Sequence, residues 1–274
     1  MRSPDNLVDG EGFHGIFSGL RKLDVIDSVT DNIYAGDFAK FWPHHAGSEV
    51  NDIPVYCRFL PTRQERVLDL ACGDGRIGLA LARNGLEVDG LELSADMLAQ
   101  CDIRLQHEDA VVRQRMRFFE GNMCSFSLPS RYDLIILGAT SISLLLSAEE
   151  RLSLFKSVRK HLQPDGKFIF DILDFSGDLW KKHDHYMNVL SHENDDGQEF
   201  AIVGQRLDPA RKRFTLNVYR ESIAWSGETR RALGSSTKAW LDASELQLAV
   251  AEAGLTVQDE FRDGDHHYLV VAEA

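Results

Sequence analysis

A chain of 274 residues can bury a full core and fits one large domain, or one domain with an elaboration, better than two independent ones. At 43% hydrophobic and 27% charged residues it reads as globular, which excludes disordered and fibrous classes. Thirty basic residues against 43 acidic ones, a formal charge of −13, repel a phosphate backbone; Arg211-Lys212-Arg213 and Lys181-Lys182 are too short to reverse this, so nucleic acid is not an expected partner.

No apolar run approaches the roughly 18 to 20 residues of a membrane span, and the first residues are polar and acidic, unlike a secretion signal. The chain therefore reads as cytoplasmic, without a membrane partner. Cys57, Cys72, Cys101 and Cys124 form no CxxC pair, so reduced, mostly buried thiols are expected.

Residues 1–30 carry Gly10, Gly12, Gly15 and Gly19 among charges and are expected to be a loosely ordered arm with a short helix around Ile16 to Leu23. IYAGDFAKFW (33–42) is rich in aromatic residues, and a helical pattern runs from Glu49 to Leu60, where Pro61 ends it. From Val67 the pattern is strand, glycine loop and amphipathic helix, stopped at Gly85. Further strands are expected at 86–93, 116–121, 132–138 and 167–173, with helices beginning after Ser94 and over 148–162. Strands alternating with helices, several of them apolar on both faces, predict an α/β fold: a mostly parallel, Rossmann-like sheet with helices on each side.

After Asp174 the rhythm changes. Residues 186–193, 199–208 and 211–225 read as successive antiparallel strands, with turn signals at Asn194-Asp195-Asp196-Gly197 and Asp208-Pro209. Residues 236–241, a helix over 242–253 stopped by Gly254, and a closing antiparallel hairpin return the chain to the first sheet. The expected organisation is a catalytic domain over 31–173 and 235–274, interrupted by an inserted β lid over 174–234 that stands above the carboxyl ends of the strands.

A loop of small residues between a parallel strand and a helix brings a ligand against the backbone. Gly73, Gly75 and Gly78 satisfy GxGxxG, which on its own also admits a dinucleotide. Charge argues against that ligand, because Asp69 in the strand and Asp74 in the loop would set two carboxylates beside a pyrophosphate. A ligand carrying an ammonium and a sulfonium turns the same carboxylates into attractive contacts.

VLDLACGDGRIGLALA (67–82) resembles motif I of the class I S-adenosylmethionine (SAM)-dependent methyltransferases, with Asp69, Gly73 and Gly75 on the acidic-x-x-x-Gly-x-Gly pattern and Ala71 where many members carry glycine. LEVDGLELSADML (86–98) resembles the second motif, whose acidic residue binds both ribose hydroxyls; here that is Glu92, 19 positions after Gly73, the separation one βαβ step imposes. EGNMCSF (120–126) is similar to the third segment, usually Gly-Asp-Met. Asn122 stands in place of its acid, offering an amide oxygen to the adenine amino group, and Met123 would lie against the purine. LGATSISLL (137–145) resembles the segment after strand four that borders cofactor and acceptor, and HLQPDGKFIFDIL (161–173) the turn before strand five. The resemblance implies SAM as cofactor and S-adenosyl-L-homocysteine as product. The implied cofactor contacts are Asp69, Ala71, Cys72, Gly73, Gly75, Glu92, Leu93, Met97, Asn122, Met123, Leu137 and Gly138.

Within that superfamily the aromatic N-terminal segment and the antiparallel insertion are similar to natural-product amine N-methyltransferases, namely the daptide-type peptide methyltransferases and the amino-sugar N,N-dimethyltransferases. The implied reaction is methyl transfer to an amine of a small-molecule or peptide natural product by in-line displacement. O- or C-methylation of a secondary metabolite stays open, as does a non-catalytic SAM-binding sensor or scaffold. The oligomeric state has no signature in the residues.

The cofactor brings an activated electrophile, so the protein supplies mainly positioning, desolvation and a deprotonated nucleophile. Tyr34, which by resemblance closes over SAM, is the first catalytic candidate, with His44 and His45 as proton acceptors. Trp42, Ser141 and Tyr186 are candidates for orienting the acceptor. His44-His45, His183-x-His185 and His266-His267 invite a metal, but adjacent histidines on a strand point to opposite faces and no paired carboxylate motif accompanies them, so no metal is expected.

Overall fold

The computed structural model describes residues 12–42, 52–60, 66–175, 185–194 and 196–274. The chain divides into two compact units, 1–46 with 176–240, and 47–175 with 241–274. The strands are β1 (Ser28–Thr30), β2 (Arg66–Leu70), β3 (Glu87–Glu92), β4 (Met116–Glu120), β5 (Tyr132–Leu137), β6 (Leu162–Leu173), β7 (His185–Asn194), β8 (Gly197–Asp208), β9 (Arg213–Ala224), β10 (Thr229–Ala239), β11 (Leu255–Asp263) and β12 (His266–Glu273).

The larger unit is a seven-stranded sheet in the order β11-β12-β6-β5-β2-β3-β4. β2 pairs in parallel with both β3 and β5, β3 with β4, and β5 with β6, while β12 runs antiparallel to β6 and β11. The central strands are apolar on both faces because both are covered: Leu134, Ile135, Ile136 and Leu137 of β5 are all fully buried. On one face the helices Ile53–Cys57 and Arg76–Arg83 contribute Val55, Tyr56, Ile77 and Leu81 to a core with Ile136, Ile169 and Tyr268. Ser94 and Ser147 cap the helices Ala95–Gln106 and Ala148–His161, the latter through a capping box with Glu150, and Gly254 at φ +76° ends the helix Ala243–Glu252. The order places a switch point between β2 and β5, where successive connections leave in opposite directions and a crevice opens at the carboxyl ends.

Some elements of this unit differ from expectation. The N-terminal helix of the unit covers Ile53–Cys57, shorter than the periodicity over 49–60 predicts, and residues 49–51 lie outside those described. A helix over Ala110–Arg115, capped by Asp109, adds to the expected elements. Residues 162–166, expected as a turn, are already strand in β6, with a register shift opposite Tyr132 and Leu134.

The smaller unit is a five-stranded sheet in the order β1-β10-β9-β8-β7, an antiparallel meander with β1 added in parallel to β10. Two expectations are corrected here. Residues 12–30 are not a loose arm: Phe13 and Phe17 are buried against Tyr219 and Leu233, and Ser28, Val29 and Thr30 pair with Ala232, Leu233 and Gly234. Nor do residues 31–42 and 235–239 belong with the larger sheet. Ile33, Phe38 and Phe41 pack on Ala201, Val218 and Ala232, and 235–239 complete β10. Glycine makes this packing fit. A Cβ on Gly204 would lie 2.3 Å from the Phe17 ring, and one on Gly234 would lie 2.6 Å from Ile33 and 2.9 Å from Phe38. Among the described residues no helix is long and apolar enough to cross a membrane.

The tie between the N-terminal segment and this sheet is polar as well as apolar. Asn217 is fully buried; its amide donates to the Gly12 carbonyl at 2.7 Å and to Ser235 Oγ at 3.1 Å, and its oxygen accepts the His14 N–H at 3.0 Å. Asn217→Ala orphans these buried groups and is expected to destabilise the fold by about 1–3 kcal/mol. It should also open residues 12–30 to limited proteolysis before the larger sheet is cut. Unchanged melting and an unchanged cleavage pattern would show that the segment is held by its aromatic contacts alone.

Candidate cofactor and acceptor site

The site is built on the turn from β2 into the helix Arg76–Arg83. Ala71, Gly73 and Gly75 all adopt left-handed backbone, at φ +50°, +60° and +80°, which folds the loop back over the strand end. At Gly73 the space a Cβ would take is open, with only Met97 Cε at 3.6 Å, so a ligand can approach the backbone there. The loop is held from several sides. The Cys72 N–H donates to the Leu91 carbonyl at 3.1 Å, Cys101 Sγ donates to the Gly73 carbonyl at 3.0 Å, and Asp74 pairs with Arg104 at 2.8 Å.

Two buried carboxylates shape its electrostatics. Asp69, 1% exposed, accepts the Gly78 N–H at 2.9 Å in the first turn of the helix. Burial pushes its carboxyl up to about 7, against the opposing pull of that N–H and of Arg76. Glu92 ends β3 and bridges loop and helix start, accepting the Gly73 N–H at 3.0 Å and the Ser94 N–H at 2.9 Å. Burial raises its carboxyl too, opposed by those N–H groups. In a dinucleotide fold the glycine-loop N–H groups face a pyrophosphate; here Glu92 takes the Gly73 N–H, the Cys72 carbonyl takes that of Gly75 and Asp69 takes that of Gly78, and the seat suits a cation.

Asp69, Ala71, Cys72, Gly73, Gly75, Glu92 and Met97 are thus brought together around one loop. Cys72 and Cys101 lie against each other, and their contact followed by burial holds the Cys72 thiol well above its ordinary range, which marks it as a packing group. Gly121 donates its N–H to the Glu92 carbonyl at 2.9 Å, so Asn122 and Met123 start beside the end of β3; Asn122 is exposed and its oxygen accepts the Cys124 N–H at 2.8 Å. Leu93 is 65% exposed, whereas Leu137 is fully buried in the sheet. Gly138 has no room for a side chain, with Ile77 Cδ1 and Tyr56 Oη each 2.6 Å from where its Cβ would be. Ser141 starts a short 3₁₀ turn after β5 and donates its N–H to the Gly138 carbonyl at 3.1 Å.

Tyr34 and Trp42 belong to the smaller unit, their rings stacked 5.9 Å apart, with the Lys238 ammonium 5.9 Å over Tyr34 and the Trp42 indole N–H donating to the Ile33 carbonyl. Tyr186 is on β7 and 46% exposed. His44, His45 and His183 lie outside the described residues. Among the described residues no three His, Cys, Asp or Glu side chains are grouped to hold a metal.

Sequence reasoning missed two features of the larger unit. Arg76 makes a two-pronged pair with the buried Asp52, at 2.6 and 2.8 Å, pinning the helix Ile53–Cys57 to the glycine loop's helix. Asp171, near the end of β6, accepts the Thr140 N–H on both oxygens at 3.1 Å and contacts His266. Neither partner pair is close in sequence, so no spacing signals them.

Residues 67–166 match a family described as a methyltransferase domain. A dTDP-3-amino-3,6-dideoxy-alpha-D-glucopyranose N,N-dimethyltransferase from Streptomyces fradiae is 31% identical over 145 residues, covering 50% of this chain and 54% of that protein. A ubiquinone biosynthesis O-methyltransferase from Proteus mirabilis (strain HI4320) is 25% identical over 147 residues, covering 52% of this chain and 58% of that protein. The chain spans about half the length of the curated relatives it matches. The crystal structure of Streptomyces venezuelae DesVI shares the fold at a TM-score of 0.72 and 20% identity, over 88% of this chain and 100% of that one. The stretch that matches the methyltransferase-domain family is the one that carries the carboxylate-lined loop.

Proposed function

We propose that this chain is a SAM-dependent methyltransferase whose acceptor atom is the amine nitrogen of a small-molecule or peptide natural product. The observation that carries the reading is the pair of buried carboxylates at a glycine loop open at Gly73. They disfavour a phosphate and favour a ligand with an ammonium and a sulfonium. Bound SAM would supply a methyl group on a sulfonium, with a neutral thioether as leaving group. Asp69 and the backbone at Gly73 and Gly75 would hold its amino-acid end, Glu92 its ribose hydroxyls, and Asn122 its adenine. The Glu92 carboxylate accepts N–H groups of Gly73 and Ser94 on different oxygens, and as an acceptor-only group it suits a pair of hydroxyl donors.

The amine assignment draws on the amino-sugar dimethyltransferase relative and on the acidic character of the site, which attracts a cationic amine. Acceptor choice is assigned to the inserted strands, because they lie outside the stretch shared with the methyltransferase family. Tyr34, Trp42, Ser141 and Tyr186 remain the proposed acceptor-facing residues.

Glu92→Ala should weaken SAM binding by about 1.5–3 kcal/mol, the scale of hydrogen bonds to a charged acceptor, and Glu92→Gln by less. Calorimetry showing parental affinity in both would place the ribose elsewhere.

The elevated Asp69 value sets a pH dependence. Protonated Asp69 favours the ligand-free fold, a contribution fully present below the ordinary carboxylate value and lost as pH rises through about 7. A bound cation favours the ionised form, so binding releases a proton and SAM affinity should rise with pH through about 7. Asp69→Asn should flatten that profile, and an unchanged slope in the variant would assign it to another group.

Products from a panel of amine, phenol and peptide acceptors, read by mass with and without a strong chelator, test the acceptor. Methylated amines formed in both conditions are expected, with substitutions on β7 to β9 shifting acceptor preference more than SAM affinity. Methyl only on oxygen or carbon would move the chain to the O- or C-methyltransferase reading. SAM binding without any product would move it to the sensor reading, and metal-restored activity would overturn metal independence.

A further inference from the structure

His266 begins β12 beside the end of β6, where Leu173 is its cross-strand partner and Asp171 faces Tyr268. Its Nδ1 lies 2.6 Å from Asp171 Oδ2. Asp171 is 1% exposed and also accepts the Thr140 N–H, so it fixes the imidazole in orientation and, with Nδ1 as the protonated nitrogen, leaves Nε2 as the acceptor. That Nε2 has no hydrogen bond among the described residues, and the ring is about a third exposed.

The register puts this pair on the cofactor loop's side of the sheet. Asp69 pairs with Ile136 and Ile136 with Ile169, so Asp171 is the next residue on that face toward the carboxyl end, and His266 joins it from the neighbouring strand. A further buried polar group lies on this face, with the Tyr56 ring 6.4 Å from that of Tyr268. The Tyr56 hydroxyl, fully buried against Gly138, has no hydrogen-bond partner among the described residues, and a buried hydroxyl is ordinarily satisfied.

We propose that His266, oriented by Asp171, is the catalytic residue that takes the proton from the acceptor's ammonium. The proton passes from nitrogen to His266 Nε2, the N–H bonding pair stays on nitrogen as the lone pair that reacts, and the imidazolium is balanced by Asp171 until its exposed edge returns the proton to solvent. Asp171 is a positioning residue. This assignment rests on the amine reading above.

The groups facing the ring are Asp171 on β6, Tyr268 on β12 with its ring 6.1 Å away, Asp265 before it, and Asp52, whose carboxylate is shared with Arg76. The hydrogen bond to Asp171, ahead of the opposing burial, raises the imidazole above its ordinary value. The neutral base therefore grows in population only as pH rises past the usual histidine range, and turnover should rise with it.

Two measurements test this. First, His266→Gln should stay folded and keep its SAM affinity, lose about a hundredfold or more in kcat, and lose the rise of kcat with pH; added imidazole should restore turnover to His266→Ala. Asp171→Asn should shift the pH limb downward. An active wild-type amine methyltransferase whose His266→Gln variant keeps kcat within threefold and the same pH limb overturns the proposal. Second, the His266 ring resonance, identified by its loss in His266→Gln, is followed in protein loaded with S-adenosylhomocysteine as the best amine of the acceptor panel, or a 3-amino sugar if none turns over, is added. Conversion to imidazolium on amine binding supports the contact, and an unchanged ring with bound amine overturns it. This arm needs no turnover, so a failure of the amine methyltransferase reading is seen separately in the product masses.

Discussion

The site depends on two carboxylates kept out of water at the carboxyl ends of adjacent parallel strands. Asp69 and Glu92 would each lose several kcal/mol of hydration on burial, and backbone N–H groups from Gly78, Gly73 and Ser94 offset that loss. Those bonds fix the glycine loop in its left-handed path and leave negative potential at the crevice beside β2 and β5. On the proposed reading the same arrangement that holds the loop also selects the ligand: it would repel anionic groups, and a cationic cofactor would favour the ionised form of Asp69 that burial disfavours.

Around that loop, other buried polar contacts act as pins between elements far apart in sequence. Asp52 and Arg76 couple the helix before β2 to the helix after it, and Thr140, Asp171 and His266 join the loop after β5 to the ends of β6 and β12. The two adjacent histidines show how a strand separates neighbours. His266 turns to Asp171, whereas His267 is 7% exposed with its Nε2 3.6 Å from Glu260. The pleat that argues against a shared metal also gives each ring a different environment.

The smaller unit is an antiparallel meander that recruits the N-terminal segment as part of its core. Aromatic side chains from 13–41 press onto the sheet at Gly204 and Gly234, and Asn217 satisfies the backbone of residues 12 and 14. Glycines scattered through residues 10–19 suggest looseness when read locally. The partners that order this segment lie about 200 residues away, so no window of sequence contains them.

Local pattern alone determined the alternation of strands and helices, the cap at Ser94, the antiparallel strands after residue 185 and the grouping of Asp69, Gly73, Gly75 and Glu92. Each rests on periodicity or on a spacing within one βαβ step, where chain connectivity leaves little freedom. Tertiary structure decided the allegiance of residues 12–42, the membership of 235–239 in β10 and the Asp171–His266 contact. These depend on which strands become neighbours in a sheet, and pairing between segments 95 or 200 residues apart is set by global packing, for which the sequence carries no local period.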